Sequence, residues 1–232
     1  MKSAVILFPG SNREGDVARA IAGICGTKPN IVWHADSELP PGTDLVVLPG
    51  GFSYGDYLRC GAIAARAGIM PAVHAHAAKG GLVLGICNGF QILCESGLLP
   101  GVLVRNARLR FICREALLRV ERIDTPFTRR YAKNAIVRFP VAHGEGNYTA
   151  DAETLRRLEG DGRVIFRYVT ASGQRDDEQV LNGAANSIAG IASEKLNVLG
   201  LMPHPENHVD PLLGSTDGRP LFESLASVLE RA

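Results

Sequence analysis

The sequence predicts an α/β protein, a three-layer sandwich with a mainly parallel central sheet. Short apolar runs rich in Val, Ile and Leu alternate with helix-compatible segments in the first hundred residues. Such alternation is typical of parallel β-α-β units, which connect right-handedly and are covered by helices on both faces. No linker, repeat or low-complexity segment divides the 232 residues, so we expect one domain over residues 1–232.

The elements follow from these patterns in order. We predict parallel strands at residues 4–8, 31–34, 45–48 and 82–86. We predict helices at residues 15–25, 62–79 with a break at Pro71, and 88–96 closed by Gly97. After Pro100, short apolar segments at residues 116–121, 135–139, 164–168, 187–192 and 198–202 predict antiparallel additions to the main sheet. A helix at residues 220–231 follows.

Composition excludes several classes of protein. The formal net charge of +1 and the lack of stacked aromatic residues argue against a nucleic-acid binder. The first apolar run stops at Pro9, too soon for a membrane span, and resembles no signal peptide. The five cysteines, without CxxC pairs, predict free thiols in a reducing compartment, the cytoplasm. Because no phosphate-binding loop is present, we expect no nucleotide cofactor in this chain.

One segment is strongly basic. Residues 105–138 contain ten Lys and Arg residues against three Asp and Glu residues, a local net charge of +7. This pattern is typical either of a solvated face or of a docking surface for an acidic partner or a phosphorylated substrate. The sequence leaves both interpretations open.

The most informative residue is Cys87. It lies in Gly-Ile-Cys-Asn-Gly, between the apolar run at residues 82–86 and the predicted helix that starts at Asn88. Glycines on both sides of the cysteine favour a tight, strained strand-to-helix turn that presents the sulfur. The helix N-terminus favours the thiolate, so Cys87 is predicted to be a nucleophile.

A thiolate nucleophile needs a base and a group that orients the base, and His204 with Glu206 fits both roles. His204 follows the apolar segment at residues 198–201 and is flanked by Pro203 and Pro205. In an extended backbone, residues i and i+2 project to the same side, so we expect Glu206 to accept a hydrogen bond from the imidazole.

Backbone N–H groups usually stabilise the oxyanion in such a reaction. The strand at residues 45–48 ends at Pro-Gly-Gly, and the N–H groups of Gly51 and Asn88 are our candidate donors. We expect no metal site, because His74 and His76 diverge on a helix and Pro205 separates His204 from His208. The four remaining cysteines are predicted to be buried small apolar residues: Cys25, Cys60, Cys94 and Cys113.

The Gly-x-Cys-x-Gly turn, the later Pro-His-Pro-Glu and the earlier Pro-Gly-Gly together resemble the class I glutamine amidotransferases. Residues 50–59, 125–128, 141–148 and 200–206 narrow the resemblance to the glutaminase subunits that serve formylglycinamidine ribonucleotide synthesis. Two segments depart from that pattern. Residues 181–187 lack the Asn-Pro-Asn-Gly-Ser run usual there, and Asn207 stands where arginine is common.

The resemblance implies that Cys87, His204 and Glu206 form the catalytic triad and that L-glutamine is hydrolysed through a thioester. It also implies an ATP-dependent synthetase subunit, which uses ATP and magnesium to activate formylglycinamide ribonucleotide, and a small third subunit. Gln91 is a further candidate for substrate binding, and His143 and Glu145 are candidates for roles either in the glutamine pocket or in docking.

Two alternatives stay open. The same turn and triad would serve a stand-alone cysteine hydrolase that cleaves γ-glutamyl bonds. The basic segment would suit a non-catalytic interaction subunit.

Overall fold

The computed structural model describes residues 1–178 and 180–229. Its strands are β1 Ser3–Leu7, β2 Asn30–Trp33, β3 Leu45–Leu48, β4 Leu82–Ile86, β5 Val102–Val104, β6 Ile112–Val120, β7 Ile136–His143, β8 Asn147–Thr149, β9 Val164–Tyr168, β10 Ile188–Ala192 and β11 Val198–Leu201. Its α-helices are α1 Glu14–Cys25, α2 Met70–Ala78, α3 Asn88–Glu95, α4 Ala152–Gly160 and α5 Arg219–Leu229. The α/β fold class predicted from the sequence is confirmed.

Across the described residues, the main sheet has nine strands in the order β2-β1-β3-β4-β11-β10-β9-β6-β7. The first five strands of this order are parallel, and every pairing from β11 onward is antiparallel. Every residue of β3 and β4 is buried, as expected for strands covered on both faces. The parallel part thus forms the buried centre of the sheet.

The helices form the outer layers. The chain moves from β1 to β2 in one direction and from β3 through β4 to β11 in the other. Because crossovers are right-handed, α1 covers one face, and α2 and α3 cover the opposite face. Helix α5 packs against α1, which completes that layer.

Three predictions made from the sequence are wrong: the continuity of one helix, the direction of one strand and the burial of two cysteines. The predicted helix at residues 62–79 is a 3₁₀ turn, Ala64–Arg66, followed by α2. The break falls at Ala67, which is extended at ψ 153°, whereas Pro71 lies in the first turn of α2 where its missing N–H costs nothing. Strand β11 is parallel to β4 rather than an antiparallel addition. Cys113 is exposed and Cys25 half-buried, so only Cys60 and Cys94 are buried as predicted.

Other differences concern bounds. Strand β6 starts four residues before its predicted segment, and β7 continues to His143. Helix α4 and the small β5-β8 sheet have no counterpart in the prediction. The last predicted helix corresponds to α5, and its final two residues, 230 and 231, lie outside the described residues. No helix in the described part of the chain is long and apolar enough to cross a membrane.

Candidate active site

Cys87 forms the corner between β4 and α3. Its backbone has φ 52° and ψ −106°, a conformation that L-residues rarely adopt and that must be held by its surroundings. The Cys87 N–H donates to the carbonyl of Leu201 on the neighbouring strand β11, at 2.8 Å. The strained turn that the sequence predicts is therefore present, and β11 anchors it.

The flanking glycines serve close packing, because the positive φ belongs to the cysteine itself. A Cβ on Gly89 would lie 1.9 Å from the carbonyl oxygen of Leu48, and one on Gly85 would lie 2.7 Å from the carbonyl oxygen of Gly89. Only glycine lets α3 start this close to β3. The free N–H groups of the first turn of α3 consequently lie at the corner that carries the sulfur.

The side chains of His204 and Glu206 meet as predicted, but the backbone between them does not have the predicted extended conformation. His204 Nδ1 and Glu206 Oε1 are 2.7 Å apart, and both side chains are buried. Residues Pro205–Asn207 form a 3₁₀ turn rather than an extended segment, because Pro205 is favourable at its first position. The His204 N–H donates to the carbonyl of Pro140 on β7 at 2.8 Å, which fixes the histidine against the antiparallel part of the sheet.

The electrostatics of the site favour a charged imidazole. Burial alone would lower the pKa of His204, but the negative charges of Glu206 and Cys87 outweigh it and raise that pKa to about 10. Glu206 Oε2 is buried without a hydrogen-bond partner within the described residues, and the Cys87 side chain lies beside the His204 imidazole. The imidazole can therefore carry a proton on the nitrogen that Glu206 leaves free and offer it to a bound molecule.

The pKa of His143, at the end of β7, is shifted in the opposite direction from that of His204. Burial, and next the positive charge of His204, lower its pKa to about 4, so it is neutral in the physiological range. Its Nδ1 lies 3.2 Å from Asn106 Oδ1, while its buried Nε2 has no hydrogen-bond partner among the residues described. Asn106 also donates to the carbonyls of Arg110 and His143, so it organises this corner of the site.

The candidate oxyanion donors are the N–H groups of Gly51 and Asn88, and the local backbone hydrogen bonds do not use them. Gly51 forms an isolated bridge with Ser11, and the bridge bonds run from Phe52 to Gly10 and from Asn12 to Gly50. This pattern leaves the Gly51 N–H out of the bridge. Gly51 has φ 147°, and a Cβ there would lie 2.7 Å from the carbonyl oxygen of Gly10. The Asn88 N–H is one of the free donors at the N-terminus of α3.

The side chains of Asn88 and Gln91 connect three segments around the nucleophile. Asn88 Oδ1 accepts from the Ser53 N–H at 3.2 Å, and its Nδ2 donates to Gln91 Oε1 at 2.8 Å. Gln91 Nε2 donates to the carbonyl of Glu145 at 2.7 Å. Gln91 thus has bonds at both ends of its amide, which fits a positioning role better than direct substrate binding.

A cavity of about 200 Å³ opens beside Cys87. Its lining brings together the predicted residues Gly51, Cys87, Gln91, His143 and Glu145. It also includes residues to which the sequence analysis gave no role in the site: Phe52, Asp56, Cys60, Phe111, Ala142 and Gly144. The cavity can hold a small molecule with its reactive carbon near the sulfur. In the part of the chain described, no group of three or more His, Cys, Asp or Glu residues could hold a metal ion.

Several known proteins are similar to this chain in sequence. The phosphoribosylformylglycinamidine synthase subunit PurQ of Nitrobacter winogradskyi is 67% identical over 232 residues, and the match covers 100% of both chains. The protein of the same name from Rhodopseudomonas palustris is 68% identical with the same coverage. These relatives match the chain from its first residue to its last.

Solved structures agree with the sequence matches. A structure of PurLQS from Thermotoga maritima superimposes with a TM-score of 0.86 at 42% identity, covering 98% of each chain. A glutamine amidotransferase from the same organism has a TM-score of 0.61 at 18% identity, covering 100% of this chain and 97% of the other, and shows the common fold. Residues 1–219 match the model of the CobB/CobQ-like glutamine amidotransferase domain. The chain therefore belongs to this glutamine amidotransferase family.

Proposed function

We propose that this chain is the glutaminase subunit of a phosphoribosylformylglycinamidine synthase, with Cys87, His204 and Glu206 as its catalytic triad. The observation that carries the proposal is the arrangement of a strained cysteine corner and a buried imidazole–carboxylate pair, in electrostatic contact with each other. Relatives that carry this subunit name match the chain over its full length. The chain would act as one domain over residues 1–232.

In the first step, the Cys87 thiolate attacks the side-chain amide carbon of L-glutamine and forms the carbon–sulfur bond. The N–H groups of Gly51 and Asn88 donate to the oxyanion that develops on the amide oxygen. His204 then passes the proton on Nε2 to the amide nitrogen, the carbon–nitrogen bond breaks, and ammonia leaves. Glu206 holds the Nδ1–H throughout, so that Nε2 is the nitrogen that exchanges protons.

In the second step, the neutral His204 takes a proton from water, whose oxygen attacks the thioester carbon. The carbon–sulfur bond breaks, glutamate leaves, and the enzyme returns to its thiolate–imidazolium state. No metal or cofactor of this chain enters either step.

Ammonia in open water is protonated and stops being a nucleophile, so the partner must receive it from an enclosed path. The rim of the cavity suits contact with another protein: Phe111 lines the cavity and is 55% exposed, and Leu58 on the nearby loop is 92% exposed. The partner would be a synthetase subunit that uses ATP and magnesium, with a small third subunit in the complex. We place this complex in the cytoplasm.

The basic segment is a further candidate for docking. Its acidic residues already pair with some of its arginines, as in Arg119–Glu121, Arg122–Asp124 and Arg138–Glu115. Arg105, Arg108 and Arg110 are exposed, and Arg105 and Arg110 line a small cavity together with Phe111 and Glu145. These three cations, rather than the whole segment, would meet an acidic surface of the partner.

The test is Cys87→Ala in the complex with the synthetase subunit. The variant should lose glutamine-dependent synthesis while it keeps synthesis from added ammonium, since only ammonia production passes through the sulfur. Cys113→Ala, at an exposed cysteine, is the matched control and should keep both activities. Loss of both activities in Cys87→Ala would contradict the proposal. Unchanged glutamine-dependent synthesis would favour a non-catalytic subunit, and strong turnover by the isolated chain, unaltered by a partner, would favour a stand-alone hydrolase.

A further inference from the structure

A second and larger cavity lies at the opposite end of β11 from Cys87. Its volume is about 670 Å³, compared with about 200 Å³ for the cavity beside the nucleophile. Val198, the first residue of β11, lines it, whereas Leu201, the last residue of that strand, accepts the hydrogen bond from the Cys87 N–H. The two cavities share no lining residue, so a molecule bound in this one would leave the proposed glutaminase site free.

Arg163, which precedes β9, places a buried positive charge at this cavity. Its side chain is 9% exposed, and its Nε donates to the carbonyl of Ala192 at 3.0 Å. Its terminal nitrogens have one ion pair, in which Nη1 lies 3.7 Å from Glu194 Oε1, and they form no hydrogen bond with a described residue. The Glu194 side chain is 80% exposed, so water screens this pair and it contributes little. The N–H groups on both terminal nitrogens are therefore available to a bound molecule.

The C-terminal end of α2 also lies at the cavity, and donors already occupy its carbonyls. The carbonyl of Ala77 accepts from Asn197 Nδ2 at 2.8 Å, and the carbonyl of Ala78 accepts from Lys195 Nζ at 3.2 Å. A helix C-terminus favours a cation, so Lys195 has a structural partner within the protein.

Arg157 on α4 is a cation of the cavity without such a partner. It lines the cavity, and its exposed side chain forms no hydrogen bond or ion pair with the described residues. Counting Lys, Arg, Asp and Glu, the lining has three cations and one carboxylate, a net charge of +2. The cavity therefore attracts anions, and Arg157 and Arg163 are the groups left to bind one.

Much of the remaining wall is apolar. Leu99, Leu158 and Val198 line the cavity and belong to the buried core of the protein. Cavities of this size that combine apolar walls with a few polar groups are typical of sites for small organic molecules. The lining thus fits a molecule that has both an apolar body and an anionic group.

We propose that this cavity binds a phosphate monoester of a small organic molecule, with Arg163 and Arg157 on the phosphate and the apolar wall around the organic body. A phosphate monoester has about two negative charges at neutral pH and three acceptor oxygens, which match the net charge of the lining and the donors of two guanidinium groups. A carboxylate has one charge and two oxygens, so it would leave part of this charge unbalanced. The Glu194 side chain, already mostly in water, would give up its contact with Arg163. This inference does not depend on the proposed glutaminase function.

The test measures the binding of phenyl phosphate to the full chain by isothermal titration calorimetry. Inorganic phosphate and benzyl alcohol are the partial probes, and both should bind more weakly, because each supplies only one part of the contacts. Arg163→Gln should weaken the binding of phenyl phosphate roughly 10- to 100-fold, the range for lost hydrogen bonds between charged groups. Its melting temperature shows whether the variant is folded.

Arg157→Glu provides a second variant at an exposed position, which keeps the test decisive if Arg163→Gln does not fold. It should weaken binding roughly 10-fold, because an attraction is replaced by a repulsion of similar size. Arg156→Glu is the matched control: Arg156 is the neighbouring exposed residue of α4 and does not line the cavity, so its substitution should leave the affinity unchanged.

Three results would overturn the site. The first is the absence of measurable binding of phenyl phosphate in the millimolar range. The second is an affinity that Arg157→Glu changes no more than Arg156→Glu does, since the anion would then lie elsewhere. The third is equal affinity for phenyl phosphate and inorganic phosphate, because the apolar wall would then contribute nothing and the ligand would be free phosphate.

Discussion

Glu206→Gln gives the sharpest quantitative prediction about the site. The substitution keeps the size of a side chain that is 1% exposed but removes its charge, 2.7 Å from His204 Nδ1. For charge centres about 4 Å apart at an effective dielectric constant of about 20, the lost attraction is roughly 4 kcal/mol. If the transition state depends on a charged imidazole, this loss slows glutamine hydrolysis by about three powers of ten.

The assay is glutamate release by the complex, with ammonium-dependent synthesis as the internal control for folding. Glu115→Gln is the matched variant, because Glu115 Oε1 lies 3.5 Å from Nε2 of a different buried histidine, His208. It should leave glutamine hydrolysis unchanged. Glutamate release by Glu206→Gln within a few-fold of the wild-type rate, or a matching loss of ammonium-dependent synthesis, would refute the reasoning.

Further predictions concern stability and packing. His143 is held neutral, with its pKa lowered to about 4 from 6.5, so protonation favours the unfolded chain. As the pH falls from 6.5 to 4, the wild type should lose up to about 1.4 kcal/mol of stability per pH unit relative to His143→Gln, measured by urea unfolding; parallel curves would contradict this. Gly89→Ala places a Cβ 1.9 Å from the Leu48 carbonyl oxygen and should abolish glutamine hydrolysis and lower the melting temperature. Gly23→Ala, in open space on α1, should raise stability by up to about 1 kcal/mol in the same melting experiment; destabilisation there would count against the packing argument.

The parallel centre of the fold could be predicted because its strands are continuous apolar runs. Strands β3 and β4 have the predicted bounds, since every residue in them is buried and turn residues follow. The direction of β11 could not be read from its sequence. Its parallel pairing with β4 depends on where the chain returns after more than a hundred residues, and a short apolar segment carries no such information.

The proposed site was partly accessible from sequence. The turn at Cys87 and the spacing of His204 and Glu206 pointed to residues that the structure brings together, although the extended backbone assumed for the pair is a 3₁₀ turn. Asp56 and Cys60 were missed, because their approach to Glu145 joins loops nearly ninety residues apart. Single acidic residues in loops have no periodicity or spacing that would reveal such a contact.

The identity of the nucleophile is the claim on which the proposed mechanism depends. The direct measurement is mass spectrometry of the complex after treatment with 6-diazo-5-oxonorleucine, an electrophile that resembles glutamine. We predict one label per chain, on Cys87, and none on Cys25, Cys60, Cys94 or Cys113. Labelling of any of these four cysteines in place of Cys87 would contradict the proposal.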